Sequence, residues 1–150
     1  MEKKFSIIEA RLRNCAFALR HLLCQTFCST KPADKILSAF LRENKRFGST
    51  DRRLLSEFLF AVMRWWGFIR KTFPETTELI SPQTLNETKS HLTYKIILFT
   101  AFLEEKLHDE NITYLFKKFD ISEKIFNEIK ALNDFADRAR LAGQVLNGND

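Results

Sequence analysis

The chain has 150 residues, 45% of them hydrophobic, with only four glycines and three prolines. Those values suit a single domain (residues 1–150) with a sizeable core, and they exclude a disordered or fibrous protein. The longest apolar run, Ile96 to Leu103, is interrupted by Thr100 and far too short to cross a bilayer, so no membrane partner is expected.

The charge is unevenly divided. Residues 1–71 hold 15 basic and 6 acidic side chains, whereas residues 72–150 hold 9 and 13. That asymmetry implies a basic face and an acidic face, with a polyanion as the natural partner of the first half and an acidic protein surface as the competitor. Residues 42–71 alone carry eight Lys/Arg against three acids, a net +5 equal to that of the whole chain.

Taken in order, Ser6 with Glu9 reads as a capping box, and Phe5 is placed to staple against Ala10. The stretch Met1–Ser6 has no signal-like apolar core, so Cys15, Cys24 and Cys28 are expected as free thiols in a reducing cytoplasm. Helix one follows, with Ile8, Leu12, Cys15, Ala16, Leu19, Leu22, Leu23 and Phe27 at helical spacing and Arg13 and Arg20 on its outer face. His21, Cys24 and Cys28 share a side, but a structural zinc site usually needs four ligands and no CxxC pair supplies the remainder. Buried or half-buried cysteines in a reduced core are therefore expected, and no metal.

Pro32 suits the first turn of helix two, whose stripe is Ala33, Ile36, Leu37, Phe40 and Leu41, with Lys35 and Arg42 outside and an end near Lys45–Phe47. Gly48 punctuates the turn, and Ser49 or Thr50 is placed to cap helix three, Thr50 to Phe73, which is expected to form the centre. Leu54, Phe58, Val62, Trp65 and Ile69 fall on one side, widened by Leu55, Leu59 and Trp66. Arg53, Glu57, Phe60, Arg64, Gly67 and Lys71 make the opposite stripe. Trp65 is placed mid-core by angle, which leaves Trp66 and Phe60 as the aromatic candidates for base stacking.

Arg52 and Arg53 break a local rule, because the positive end of a helix dipole disfavours bases. Two readings follow. With the unpaired N–H groups of the helix start they form a phosphate clamp; or Arg53 pairs with Glu57 and Arg52 caps a neighbouring carbonyl.

Residues 74–88 read as an internal loop with room for one short turn. A very apolar helix from about Lys89 to Leu107 comes next. Asp109 and Ser122 are placed to cap two shorter helices, and Asp134 to open a last one through Leu146. The expected fold class is an all-α bundle of about six to seven helices. No catalytic residue is expected: there is no glycine-rich nucleotide loop, and His21, His91 and His108 lack a serine or acidic partner at recognisable spacing.

Three ordered blocks carry a family resemblance: Ala33-Asp34-Lys35-Ile36-Leu37-Ser38-Ala39-Phe40-Leu41-Arg42-Glu43-Asn44, then Gly48-Ser49-Thr50-Asp51-Arg52-Arg53, then Val62-Met63-Arg64-Trp65-Trp66. Their order and spacing resemble the amino-terminal, NusB-like domain of Sun/RsmB-type ribosomal-RNA cytosine-5 methyltransferases. The likeness is dense from about residue 10 to 72 and thins beyond; residues 89–150 lack the closing signature of NusB itself, which argues against a stand-alone antitermination factor.

The resemblance implies a NusB-like bundle that recognises structured ribosomal RNA. Catalysis and S-adenosylmethionine binding would then lie in a methyltransferase domain in cis beyond residue 150, with no cofactor in this chain. None of Cys15, Cys24 and Cys28 has the proline neighbour of that family's catalytic cysteines, so no catalytic role is carried over. The expected RNA-binding residues are Arg42, Lys45, Arg46, Ser49, Arg52, Arg53, Arg64, Arg70 and Lys71. The alternative is a non-catalytic NusB-like protein-interaction or antitermination adaptor, whose arginines would face carboxylates.

Overall fold

The computed structural model describes residues 2–81, 90–104 and 110–148. They form α1 (Glu2–Phe27), α2 (Ala33–Glu43), α3 (Ser49–Arg64), α4 (Trp66–Thr72), α5 (Thr76–Leu79), α6 (Ser90–Leu103), α7 (Glu110–Lys118), α8 (Glu123–Lys130) and α9 (Phe135–Asn147). Among the described residues there is no strand, as the lack of any sustained period-two pattern anticipates. The count exceeds the expected six or seven because helix three divides at Trp65 and the 74–88 loop contains the single turn of α5.

The centre is α6, not helix three. Every residue from Thr93 to Leu103 is buried, and α6 packs against α1, α3, α7, α8 and α9. Apart from Thr93, Lys95 and Thr100 this buried run is apolar on every side, and such a helix is stable only when surrounded, whereas α3 keeps an exposed charged face. Phe99 meets Phe73 edge-on at 5.5 Å, and Phe102 meets Phe126 at 5.0 Å. On α3, Leu54, Leu55, Phe58, Leu59, Ala61 and Val62 are buried, as their spacing requires.

Several local expectations need correction. The first helix already includes Glu2, so Ser6 is exposed within it rather than at its cap, and Phe5 packs toward Tyr114 instead of stapling. No glycine or proline precedes Ser6 to hold the helix back. Arg13 is exposed but Arg20 is buried. Arg20 stands only about 20° nearer the apolar stripe than Arg13, so its burial comes from the elements packed beside it. Gly48, not Ser49 or Thr50, is the N-cap of α3, and no side chain caps that end. Ser122 and Asp134 cap α8 and α9 as expected, accepting from the Ile125 and Ala136 N–H groups at 3.2 and 2.8 Å. Asp109, His108, both expected ends of the Lys89–Leu107 helix and residues 82–88 of the 74–88 loop lie outside the described residues.

Helix α9 closes on α4 at a glycine. A Cβ on Gly143 would lie 2.6 Å from Thr72 Cγ2, and Asn147 Nδ2 donates to the Thr72 carbonyl at 3.1 Å. Threonine is branched at Cβ and cannot swing aside freely. Gly143→Ala is therefore expected to destabilise the chain by about 1 to 3 kcal/mol despite alanine's better helix propensity, read from urea denaturation. A stabilised variant would show that the two helices separate at little cost.

Candidate nucleic-acid interface

The turn between α2 and α3 is built around one buried ring. Phe47 is buried, stacks near Phe40 at 5.8 Å, and lies beneath the Arg46 guanidinium at 5.4 Å. Asn44 closes α2: its backbone N–H and its Nδ2 both donate to the Phe40 carbonyl, at 2.9 and 2.8 Å. Arg52 Nε donates to the Phe47 carbonyl at 2.9 Å. Arg52 thus makes the carbonyl cap of one reading through Nε, and its side chain stays exposed. Asp51 is held from the other side by Arg11 at 3.3 Å, and Arg11 also reaches Glu110 at 3.3 Å, tying the start of α3 to α1 and α7.

On this fixed turn Arg42, Lys45, Arg46 and Arg53 are exposed. Among the described residues none of them makes an ion pair, and Arg53 does not take Glu57. Ser49 is exposed in the first turn of α3, where Gly48 leaves the leading N–H groups without a side-chain acceptor. The φ of −75° at Gly48 is open to any residue, and a Cβ there would meet nothing within 4 Å, so glycine leaves the backbone bare rather than permitting the turn. An open cavity of about 930 Å³ between the end of α1 and α2 continues the surface, with Lys31, Lys35 and Arg42 on its walls and Glu43 as its acid.

Arg64, Arg70 and Lys71 sit elsewhere. The α3 helix is 16 residues long, which places Arg64 roughly 24 Å from the α2–α3 turn, and Arg70 and Lys71 follow in α4. Trp65 has φ −104° and ψ 16°, ending α3 and starting α4, so the expected continuous stripe from Arg53 to Lys71 is broken. Glu104 accepts from Arg64 and, at 2.6 Å, from the Trp65 indole. Arg64 is thus engaged by a carboxylate, while Arg70 and Lys71 are exposed without a partner among the described residues. Trp65 is half-buried rather than mid-core, because its indole turns out to Glu104. Trp66 is half-buried against Phe27 at 4.5 Å, and Phe60 packs on the core. Sequence reasoning missed Glu104, 40 residues away from Arg64, and no local signal links the two.

The cysteines are free, with Cys15 and Cys24 buried and Cys28 exposed just past the end of α1. Burial first, then the nearby Asp51 charge, pushes the Cys15 thiol up to about 12, against a smaller opposing effect of Arg11. Burial and then the hydrogen bond with Cys28 raise Cys24. A disulfide reagent at neutral pH is therefore expected to titrate Cys28 quickly and Cys15 and Cys24 only on unfolding; fast reaction of all three would contradict this packing. Among the described residues no cluster of three or more His, Cys, Asp or Glu could hold a metal, and no helix is long and apolar enough to cross a membrane.

None of the protein families, curated proteins or solved structures compared with this chain matches it.

Proposed function

We propose that this all-α domain binds structured RNA through the α2–α3 turn. Four exposed cations free of ion pairs among the described residues (Arg42, Lys45, Arg46 and Arg53) on a turn that Phe47, Asn44 and Arg52 hold rigid carry this reading. The uncapped start of α3 at Ser49 adds backbone donors and the positive end of a helix dipole, which together suit a phosphate. A fixed backbone spares the cost of ordering the turn on binding, and arginine suits bidentate contact with phosphate.

The resemblance of residues 33–66 extends the proposal. In that reading the domain recognises ribosomal RNA, in the cytoplasm, for a NusB-like-domain-bearing cytosine-5 methyltransferase whose catalytic, S-adenosylmethionine-binding domain lies in cis. The described residues hold no glycine-rich strand-to-helix turn that would fit S-adenosylmethionine, so no methyl-transfer step is assigned to this chain.

Titration with a structured RNA and with polyglutamate of matched charge tests the reading against a protein-interaction adaptor. RNA is expected to bind at low salt, with affinity falling steeply as salt rises. Equal or tighter binding of polyglutamate would assign the cations to carboxylates.

A further inference from the structure

Of the three exposed phenylalanines among the described residues, two, Phe27 at 38% and Phe135 at 44%, each rest on one of the chain's two tryptophans. Phe27 lies 4.5 Å from Trp66 and Phe135 lies 5.0 Å from Trp65, so both pairs adjoin the α3–α4 break. Large apolar rings are normally buried, and an exposed ring gains nothing from water. These rings are also held still. Trp65 is fixed by Glu104 through its indole N–H. Phe135 opens α9 behind the Asp134 cap and lies 5.0 Å from the Arg138 guanidinium, which is itself bonded to the Leu132 and Leu103 carbonyls. A ligand stacking on such a surface orders little that is not already ordered.

The charge near these rings is mixed, and cations are in slight excess among the described residues: Arg64, Arg70, Lys71, Arg138 and Arg140 against Glu75, Glu104, Asp134 and Asp137. Arg70 and Lys71 are exposed at the end of α4 with no partner among the described residues. Glu104 is paired with Arg64 and the Trp65 indole, and Asp137 lies 3.9 Å from Arg140, whereas Asp134 caps α9 through the Ala136 N–H and keeps its charge. Glu75, just past α4, is exposed, and the two cations outnumber it.

We infer that the Trp65–Phe135–Arg138 surface is a stacking platform for unpaired nucleobases of an RNA strand whose phosphates lie along Arg70 and Lys71. The inference rests on the RNA-binding reading above and gives it a second, chemically distinct site. Unpaired bases stack on aromatic rings and on guanidinium planes, whereas the bases of a duplex are already stacked inside it. The preferred ligand is therefore an RNA with a structured part at the α2–α3 turn and a single-stranded part roughly 24 Å away along α3.

Trp66→Phe leaves Trp65 as the sole reporter, and its emission is followed while short single-stranded oligoadenylate or inorganic polyphosphate is added. Oligoadenylate is expected to quench Trp65, and polyphosphate, which has charge but no bases, is not. Phe135→Ala is expected to weaken oligoadenylate binding by roughly 5- to 150-fold while leaving affinity for fully duplex RNA unchanged. Phe135→Tyr should bind like the parent. Phe135 is exposed, so each variant is expected to melt with the parent, which a thermal scan checks. Equal quenching by both polyanions, or undiminished oligoadenylate binding by Phe135→Ala, would overturn the platform and leave phosphate binding at α2–α3 standing. Failure of every RNA to bind would remove both.

Discussion

Replacing Arg42, Lys45, Arg46 and Arg53 together by alanine is expected to flatten the salt dependence of RNA binding by about 3 in log–log slope, at roughly 0.7 to 0.9 per lost phosphate contact. The loss should be similar for RNAs of different sequence, because phosphate contacts position a ligand without specifying it. All four side chains are exposed and no ion pair holds them, so the melting temperature should move little beyond the loss of the Arg46 contact with the Phe47 ring, which Arg46→Ala alone measures. Arg52 is left out of the set deliberately. Its Nε bond to the Phe47 carbonyl closes the turn, so Arg52→Ala should cost about 1 kcal/mol of stability along with any loss of binding. Lys124→Ala on α8 is the suitable control. Lys117 and Lys118 are not, since they lie over the Phe5 and Tyr94 rings at 4.8 and 5.9 Å. Unchanged slope in the fourfold variant would move the RNA surface elsewhere.

Phe99→Ala should cause the largest single loss of stability, roughly 3 to 5 kcal/mol. Phe99 is fully buried in the middle of α6, edge-on to the fully buried Phe73. Its removal leaves a cavity between the central helix and the end of α4, where neither backbone can collapse inward without breaking other packing. For a chain of this length the loss corresponds to a fall of roughly 6 to 20 °C in Tm. Thermal or urea unfolding followed by circular dichroism reads the effect. A change below about 1 kcal/mol would show that α6 is not the centre of the core.

Helical periodicity made most of this bundle legible. The apolar stripes of α1, α2 and α3 and the caps at Ser122 and Asp134 are local patterns, and local physics decides them. What escaped depends on partners distant in sequence. Trp65 falls mid-core on a helical wheel, but Glu104 draws its indole outward and α3 ends there. Arg20 looks external until its neighbours are in place. The rank of α6 as centre follows from how many helices surround it, which no single stretch records.

The candidate site divides along the same line. The cluster of cations around Gly48 was readable from charge density alone, as was the oddity of Arg52 and Arg53 at a helix start. That Arg52 serves the turn while Arg53 stays free required the Phe47 carbonyl to be located. Likewise, Arg64 reads as part of a phosphate-tracking stripe until Glu104 is found beside it.

Amide chemical-shift mapping of the isotope-labelled chain during titration with a structured RNA tests the central claim most directly. The largest shifts are expected on Arg42 to Arg53, including the backbone N–H groups of Ser49 and Thr50, and they should collapse as salt is raised. The exposed face of α8, at Glu123, Lys124 and Glu128, should stay silent. Shifts centred on α8, or none at the α2–α3 turn while RNA is demonstrably bound, would contradict it.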